Sequence, residues 1–266
     1  MKKLQILVAT MHQYDFSLVQ KMNLQCDAVL ANQTDTDEIQ LKTYPFGSVK
    51  MISTTTRGVG VNRNIAILAS EAEILLFADD DITYHLEAPE RVISAFEENP
   101  KADVIIFSMD YTRNKEIIER RHLKNKQLHI WNAMRYGACA MAVRRSAILQ
   151  SNIIFNQLFG GGCLYSSGED SLFLRDCFRN GLSVYSHDYV LGTCSRDSSS
   201  WFSGCNEKYF YDKGALMKFL FPSISFFMVL RFAICFKKPT QISCRNRIRL
   251  MMAGRRGGKK LRPYQP

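Results

Sequence analysis

Ile74-Leu75-Leu76-Phe77-Ala78-Asp79-Asp80-Asp81 decides the fold. Five apolar residues run without a helical period straight into three carboxylates. A short, unbroken apolar run is what a strand buried on both faces of a parallel sheet requires, and such strands end in the ligand crevice. Three adjacent carboxylates repel one another and need solvent, protonation or a cation. A hard divalent cation shared with a phosphate ligand suits them. A solvated Asp-rich turn capping a following helix would suit them as well, and the stretch alone leaves both readings open.

Outward from this strand, apolar and amphipathic runs alternate. Residues 4–9 read as a first strand, left by the polar loop 10–15, and residues 18–24 as a helix. Residues 27–31, ending at Asn32-Gln33, and residues 49–52 read as the next two strands. Arg57-Gly58-Val59-Gly60-Val61-Asn62-Arg63-Asn64 reads as a loop entering a helix over residues 65–72. Residues 88–98 are expected to be a helix, with Val92, Ile93 and Phe96 on one face and Pro100 just beyond. Residues 104–107 and 137–143 read as strands, whereas residues 116–132 are charged and carry no clear pattern. Ser166-Ser167-Gly168-Glu169-Asp170 opens a late helix stopped by Gly181, and extended pieces follow at 184–187 and 189–191. The alternation predicts an α/β fold with a doubly wound, mostly parallel sheet.

With 266 residues there is room for one large α/β domain, or one domain with an appendage. Eight scattered cysteines form no C-x-x-C pair, which predicts reduced thiols in a cytosolic chain and no zinc site. The apolar run 4–9 is too short for a signal-peptide core. The net charge of +10 is uneven. From Lys237 onward there are ten Lys or Arg and no acid, so the first 236 residues are formally neutral and carry no nucleic-acid signature. Residues 219–230 hold no charge and are bracketed by Lys218 and Arg231. The run is shorter than the roughly 20 apolar residues of a spanning helix. A membrane-surface helix with a basic tail is expected, against the plainer reading of a core helix with a disordered tail. The expected division is a catalytic domain over 1–210, an apolar membrane-associating segment over 211–236 and a basic tail over 237–266.

Three further stretches could carry chemistry. The loop 57–64 before a helix suits an anion, with Gly58 and Gly60 permitting close approach and Arg57 and Arg63 supplying charge. It is neither a Walker loop nor a dinucleotide fingerprint, and a flexible loop with two surface arginines would look the same. In Glu169-Asp170, Ser166-x-x-Glu169 is a capping-box pattern, so one acid caps the helix and the other is a candidate general base. Adjacent helical residues diverge by about 100°, so both are not expected to face one pocket. His187, closing an extended run, is either a structural residue or a metal or pyrophosphate ligand.

Taken in order, Asn62-Arg63-Asn64-Ile65-Ala66, Phe77-Ala78-Asp79-Asp80-Asp81 and Gly168-Glu169-Asp170-Ser171-Leu172-Phe173-Leu174 resemble the family 2 glycosyltransferases with a GT-A fold. The resemblance spans about residues 4–192. It implies an inverting hexosyl-type transferase that uses a nucleotide-diphosphate sugar, a UDP-sugar, and Mn2+ or Mg2+. It places Asp79, with Asp80 beside it, near the nucleotide ribose, Asp81 on the metal, and Arg63 near the base or phosphates. Thr10 and Asn32 are nucleotide contacts in this reading, and Asp170 is the base. The Q-x-x-R-W motif of processive synthases is missing; Trp201 stands after three serines instead, which favours one sugar per visit. The expected acceptor is a saccharide or lipid-linked molecule in surface polysaccharide synthesis, met at the cytoplasmic membrane face. The alternatives are a sugar-phosphate nucleotidyltransferase, whose Gly-rich basic signature residues 10–15 lack, and a non-enzymatic membrane or nucleic-acid binding protein acting through the basic tail.

Overall fold

The computed structural model describes residues 2–197 and 204–265, so Trp201 lies outside the described residues. In chain order the first half contains β1 (Leu4–Met11), α1 (Ser17–Lys21), β2 (Ala28–Gln33), β3 (Glu38–Tyr44), β4 (Gly47–Thr54), α2 (Val59–Ala69), β5 (Ile74–Asp79), β6 (Ile82–Tyr84), α3 (Ala88–Glu98) and β7 (Val104–Arg113). The second half contains β8 (Glu116–Arg121), β9 (Lys126–Gln127), α4 (Ile130–Ala133), a 3-10 turn (Ala138–Ala140), β10 (Met141–Arg144), α5 (Arg145–Gln150), α6 (Glu169–Arg179), β11 (Val184–Ser195), α7 (Glu207–Leu220), α8 (Ser225–Ile234) and α9 (Cys244–Lys259).

The strands form one sheet in the order β3-β4-β2-β1-β5-β10-β7-β11-β6, with β8 on β7 and β9 on β11. The long strands β4, β2, β1 and β5 run parallel, as do β7 and β11. The short β10 is inserted antiparallel between β5 and β7. Register brings Ala9 beside Asp79 and Thr10 beside Asn32, so the chain leaves β1, β2 and β5 at one edge. Along β5 the pleat sends Ile74, Leu76 and Ala78 into the core on one side of the sheet, and Leu75 and Phe77 into the core on the other. Both faces are covered, which is why the run is apolar without alternation. Each fully buried large side chain here contributes roughly 1.5–3 kcal/mol.

Several elements differ from the sequence reading. The helix after the loop 57–64 begins at Val59, so Asn62, Arg63 and Asn64 lie inside α2 rather than before it. The edge strand β3 was not anticipated; its side chains are mostly exposed, so its sequence carries no burial signal. Residues 116–132 become β8 (paired with β7), β9 (paired with β11) and the start of α4. Within 137–143 only the last residues extend, after the 3-10 turn. The two extended pieces after Gly181 are one strand, β11, interrupted by register shifts between His187 and Thr193.

The C-terminal region is helical. The uncharged run 219–230 is broken by residues 221–224 into the end of α7 and most of α8. The expected boundary at 210 falls inside α7, and the basic segment after 237 contains the sixteen-residue helix α9. α9 lies directly on α7: a Cβ at Gly214 would collide with the Met251 backbone, and one at Gly254 with the Tyr211 backbone. No helix among the described residues is long and apolar enough to cross a membrane.

Candidate active site

Three elements converge where β5 ends. α2 supplies Arg63, the end of β5 supplies Asp79, and the first turn of α6 supplies Glu169 and Asp170. Arg63 is only 4% exposed, yet its Nη2 donates to Asp79 Oδ1 at 2.8 Å, and its Nη1 donates to Asp170 Oδ1 at 2.9 Å and to Glu169 Oε1 at 3.1 Å. Its guanidinium also lies 5.2 Å from the Phe155 ring centroid. Burial opposes the charge on Arg63, and the three carboxylates outweigh it and raise its pKa. Both acids of the Glu169-Asp170 pair therefore reach one guanidinium nitrogen, contrary to the expected divergence. The longer Glu169 folds back, since its Oε2 also accepts from the Gly168 backbone N–H at 3.0 Å.

The two acids are not equivalent. Glu169 is occupied on both oxygens, by Arg63 and by the helix start. The Asp170 side chain is the more exposed of the two, and its Oδ2 lies against Gly137, where a Cβ would stand 3.4 Å away. Burial and the neighbouring Glu169 push the Asp170 carboxyl up to about 8, against the pull of Arg63.

Beyond Asp79 the other two carboxylates separate. Asp80 Oδ2 accepts from Thr10 Oγ1 at 2.5 Å, tying the turn after β5 to the end of β1. Among the described residues the Asp81 side chain accepts only a weak bond, from Cys194 Sγ at 3.6 Å, while its backbone carbonyl accepts from Ser195 N–H at 2.9 Å. Burial, then the charge of Asp79, pushes the Asp81 carboxyl up to about 6. This acid has the least compensation of the three. Among the described residues no three His, Cys, Asp or Glu side chains converge closely enough to hold a metal by themselves. A divalent cation held by one or two carboxylates and completed by a substrate diphosphate does not require such a cluster. The under-compensated Asp81 fits that arrangement.

The remaining expected residues fall in different places. Asn32 is fully buried; its amide bonds both N–H and C=O of Gln13 and the Ser53 hydroxyl, so it shapes the loop after β1. Arg57 is tied to Asp35 at 2.6 Å and to the Thr34 carbonyl, beyond the end of β2 and away from the carboxylates. His187 is not brought to Asp81. Its Nδ1 accepts from Tyr189 N–H at 3.1 Å, its ring packs on Phe107, and it lines a hollow of about 240 Å³ with Glu98 and Asn99 at the end of α3.

Two flanking asparagines and a lysine carry roles that the sequence did not disclose. Asn62 Nδ2 donates to the carbonyls of Thr10 and Ala31, and Asn64 pairs its amide with the backbone of Phe155. Asn62 locks α2 to β1 and β2, and Asn64 locks it to the loop after α5, so that Arg63 points at the carboxylates. Lys213 on α7 donates to Ser167 Oγ at 3.1 Å, beside the start of α6, and has no ion-pair partner among the described residues. Burial holds its ammonium below the ordinary lysine pKa, against the attraction of Glu169.

Residues 17–151 match the Glycosyl transferase family 2. The chain is a family 2 glycosyltransferase. The matched stretch carries α2, β5 and the three adjacent aspartates, and this decides against a nucleotidyltransferase or a purely binding protein. The fold of this glycosyltransferase is similar to that of S. aureus TarS residues 1–349 in complex with UDP-GlcNAc, with a TM-score of 0.61 and 16% sequence identity over 88% of this chain and 76% of that one. S. aureus TarS residues 1–349 in complex with UDP gives a TM-score of 0.59 and 14% identity over 97% of this chain and 72% of that one. The sheet of the glycosyltransferase is thus of the GT-A type. No curated protein sequence matches it.

Proposed function

We propose that the protein is an inverting glycosyltransferase that moves a sugar from a nucleoside-diphosphate donor, a UDP-sugar, to a saccharide or lipid-linked acceptor in surface polysaccharide synthesis. The observation that carries this reading is the Arg63 hub, which joins the acid closing β5 to the acid pair opening α6 in one site. Donor recognition and proton removal are thereby within reach of one substrate. The structural likeness to TarS, which is described with UDP-GlcNAc and with UDP, supports the choice of a UDP-sugar.

In this reading Asp79, set by Arg63, meets the donor ribose, and Thr10 fixes Asp80 so that the turn keeps its shape. Asp81, with Asp79 beside it, would hold Mn2+ or Mg2+, which when bound supplies charge neutralisation at the departing diphosphate. Asp170 removes the acceptor hydroxyl proton as that oxygen attacks the anomeric carbon from the face opposite the diphosphate. Glu169 holds the helix start and Arg63 with its two oxygens, whereas Asp170 meets Arg63 through Oδ1 and keeps Oδ2 for the acceptor hydroxyl. Lys213 lends positive charge at the acceptor side of the base. One displacement inverts configuration without an enzyme nucleophile.

The test is a panel of nucleotide sugars with Mn2+ and short saccharide acceptors, with the anomeric configuration of the product read by NMR. Inverted product from a UDP-sugar, lost in Asp81→Asn, is expected. Retained configuration would overturn the one-step displacement, and full activity of Asp81→Asn with Mn2+ would overturn the metal assignment.

A further inference from the structure

α8 packs on the rest of the chain through Ser225, Val229 and Ala233, which are buried. The rest of its surface exposes an apolar patch: Phe226, flanking the packed side, is 44% exposed, Phe227 68% and Ile234 62%, with Ile224 exposed just before the helix. At helical spacing Phe227 and Ile234 share one stripe with the exposed Arg231 between them, and Phe226 stands about 100° round the helix from Phe227. Cations surround it. Arg255 of α9 bonds Ser225 Oγ at 3.0 Å and lies over the Phe226 ring, and Lys218 of α7 bonds the Pro222 carbonyl at 3.0 Å. Arg231 is exposed one turn beyond Phe227, and Lys237 and Lys238 follow the helix. No acid occurs after Asp212, so residues 213–266 carry thirteen Lys or Arg unopposed, while residues 1–212 carry 22 bases and 25 acids.

We infer that this face is a docking surface for an anionic lipid bilayer: the α8 patch enters the headgroup boundary, and the cations around it meet lipid phosphates. Charge complementarity selects this occupant. A second copy would set two acid-free, cationic faces against each other, which is repulsive. A stable protein interface also takes about 20–30 residues a side, many more than this patch offers. A short amphipathic helix ringed by Lys and Arg is the arrangement that binds lipid surfaces reversibly. The inference deepens the proposed lipid-linked acceptor, but its evidence is independent of the chemistry.

The test is co-sedimentation of the full chain with vesicles of phosphatidylcholine alone or containing 30% phosphatidylglycerol, alongside donor hydrolysis in solution. Binding to the anionic vesicles only, weakened at 0.5 M salt, is expected. Phe226→Ser/Phe227→Ser/Ile234→Ser should weaken it at least about tenfold, and Arg231→Gln should weaken it about fivefold. Both variants should keep the far-UV spectrum and the donor hydrolysis of the parent. Failure of the parent to sediment, equal binding by the triple variant, or a dimer in solution dissolved by that variant would each overturn the proposal. Loss of donor hydrolysis in the parent would instead count against the transferase reading.

Discussion

Arg63 holds one positive charge against three carboxylates, and the imbalance sets the chemistry of the site. Asp170 absorbs it, because partial burial and then the neighbouring Glu169 disfavour its charge, and its carboxyl rises to about 8. A base must be deprotonated to act, so kcat/KM should climb tenfold per pH unit below that value and level off above it. A profile measured from pH 6 to 9.5 that stays flat would contradict the assignment. Stability carries the same sign. The folded pKa lies above the ordinary aspartate value of 3.8, so this group's favourable contribution is complete below about pH 4 and is lost as pH rises through about 8. Asp170→Asn, which keeps the shape of the neutral acid, should therefore melt above the parent at pH 8.5 while losing roughly 10²-fold or more in turnover. If Glu169→Gln causes the larger loss of turnover without unfolding, the two roles are exchanged.

At the scale of elements, the active end of α6 depends on α7, and α7 on α9. Gly168 precedes α6 with φ of +129°, a backbone that other residues rarely adopt, and a Cβ there would meet Leu216 of α7 at 2.5 Å. Asp212 of α7 accepts from the Ser166 backbone N–H at 2.9 Å and from its hydroxyl at 2.7 Å, which fixes the approach to the acid pair. On the other side of α7, Gly254 lets α9 come into backbone contact at Tyr211. Gly254→Val should force the helices apart and cost about 1–3 kcal/mol in urea unfolding. Because α7 also carries Lys213, transfer should fall further than donor hydrolysis. An unchanged unfolding midpoint would show that α9 is not needed to seat α7. For the same reason, removing residues 237–266 strips a packed helix from α7 rather than trimming a loose tail.

Over the whole molecule, charge and chemistry are segregated. Most of the acids, including Asp79, Asp80 and Asp81, belong to the sheet domain, and after Asp212 on α7 every charged side chain is a Lys or Arg. A nucleoside diphosphate approaching Asp79, Asp80 and Asp81 meets repulsion unless a divalent cation accompanies it. Thermal unfolding should therefore respond to UDP and Mn2+ jointly. At a hundredfold excess over Kd, UDP with Mn2+ should add about 2.7 kcal/mol, and UDP with EDTA should add far less. Equal shifts in the two conditions would remove the cation from the donor site.

The buried strand β5, its three terminal carboxylates, the acid pair opening α6 and the order of these motifs were all legible in the sequence. Each is a local pattern: an apolar run long enough for one strand, or acids at the end of an element. Register, long-range contacts and the exact helix start were not. Whether Arg63 reaches a phosphate or three carboxylates depends on α2 beginning at Val59, on Asn62 pinning it to the sheet and on Asn64 pinning it to the loop at Phe155. Whether His187 reaches the metal corner depends on β11 running seven residues on before Cys194 meets Asp81. The basic segment looked like a tail because its polar pattern hides the glycines that seat it on α7. The sequence by itself determined which residue types could do the chemistry, since hydropathy and charge are properties of the residues. Only the tertiary structure decided which of them share a site, because burial and pKa are set by neighbours that lie more than a hundred residues away along the chain.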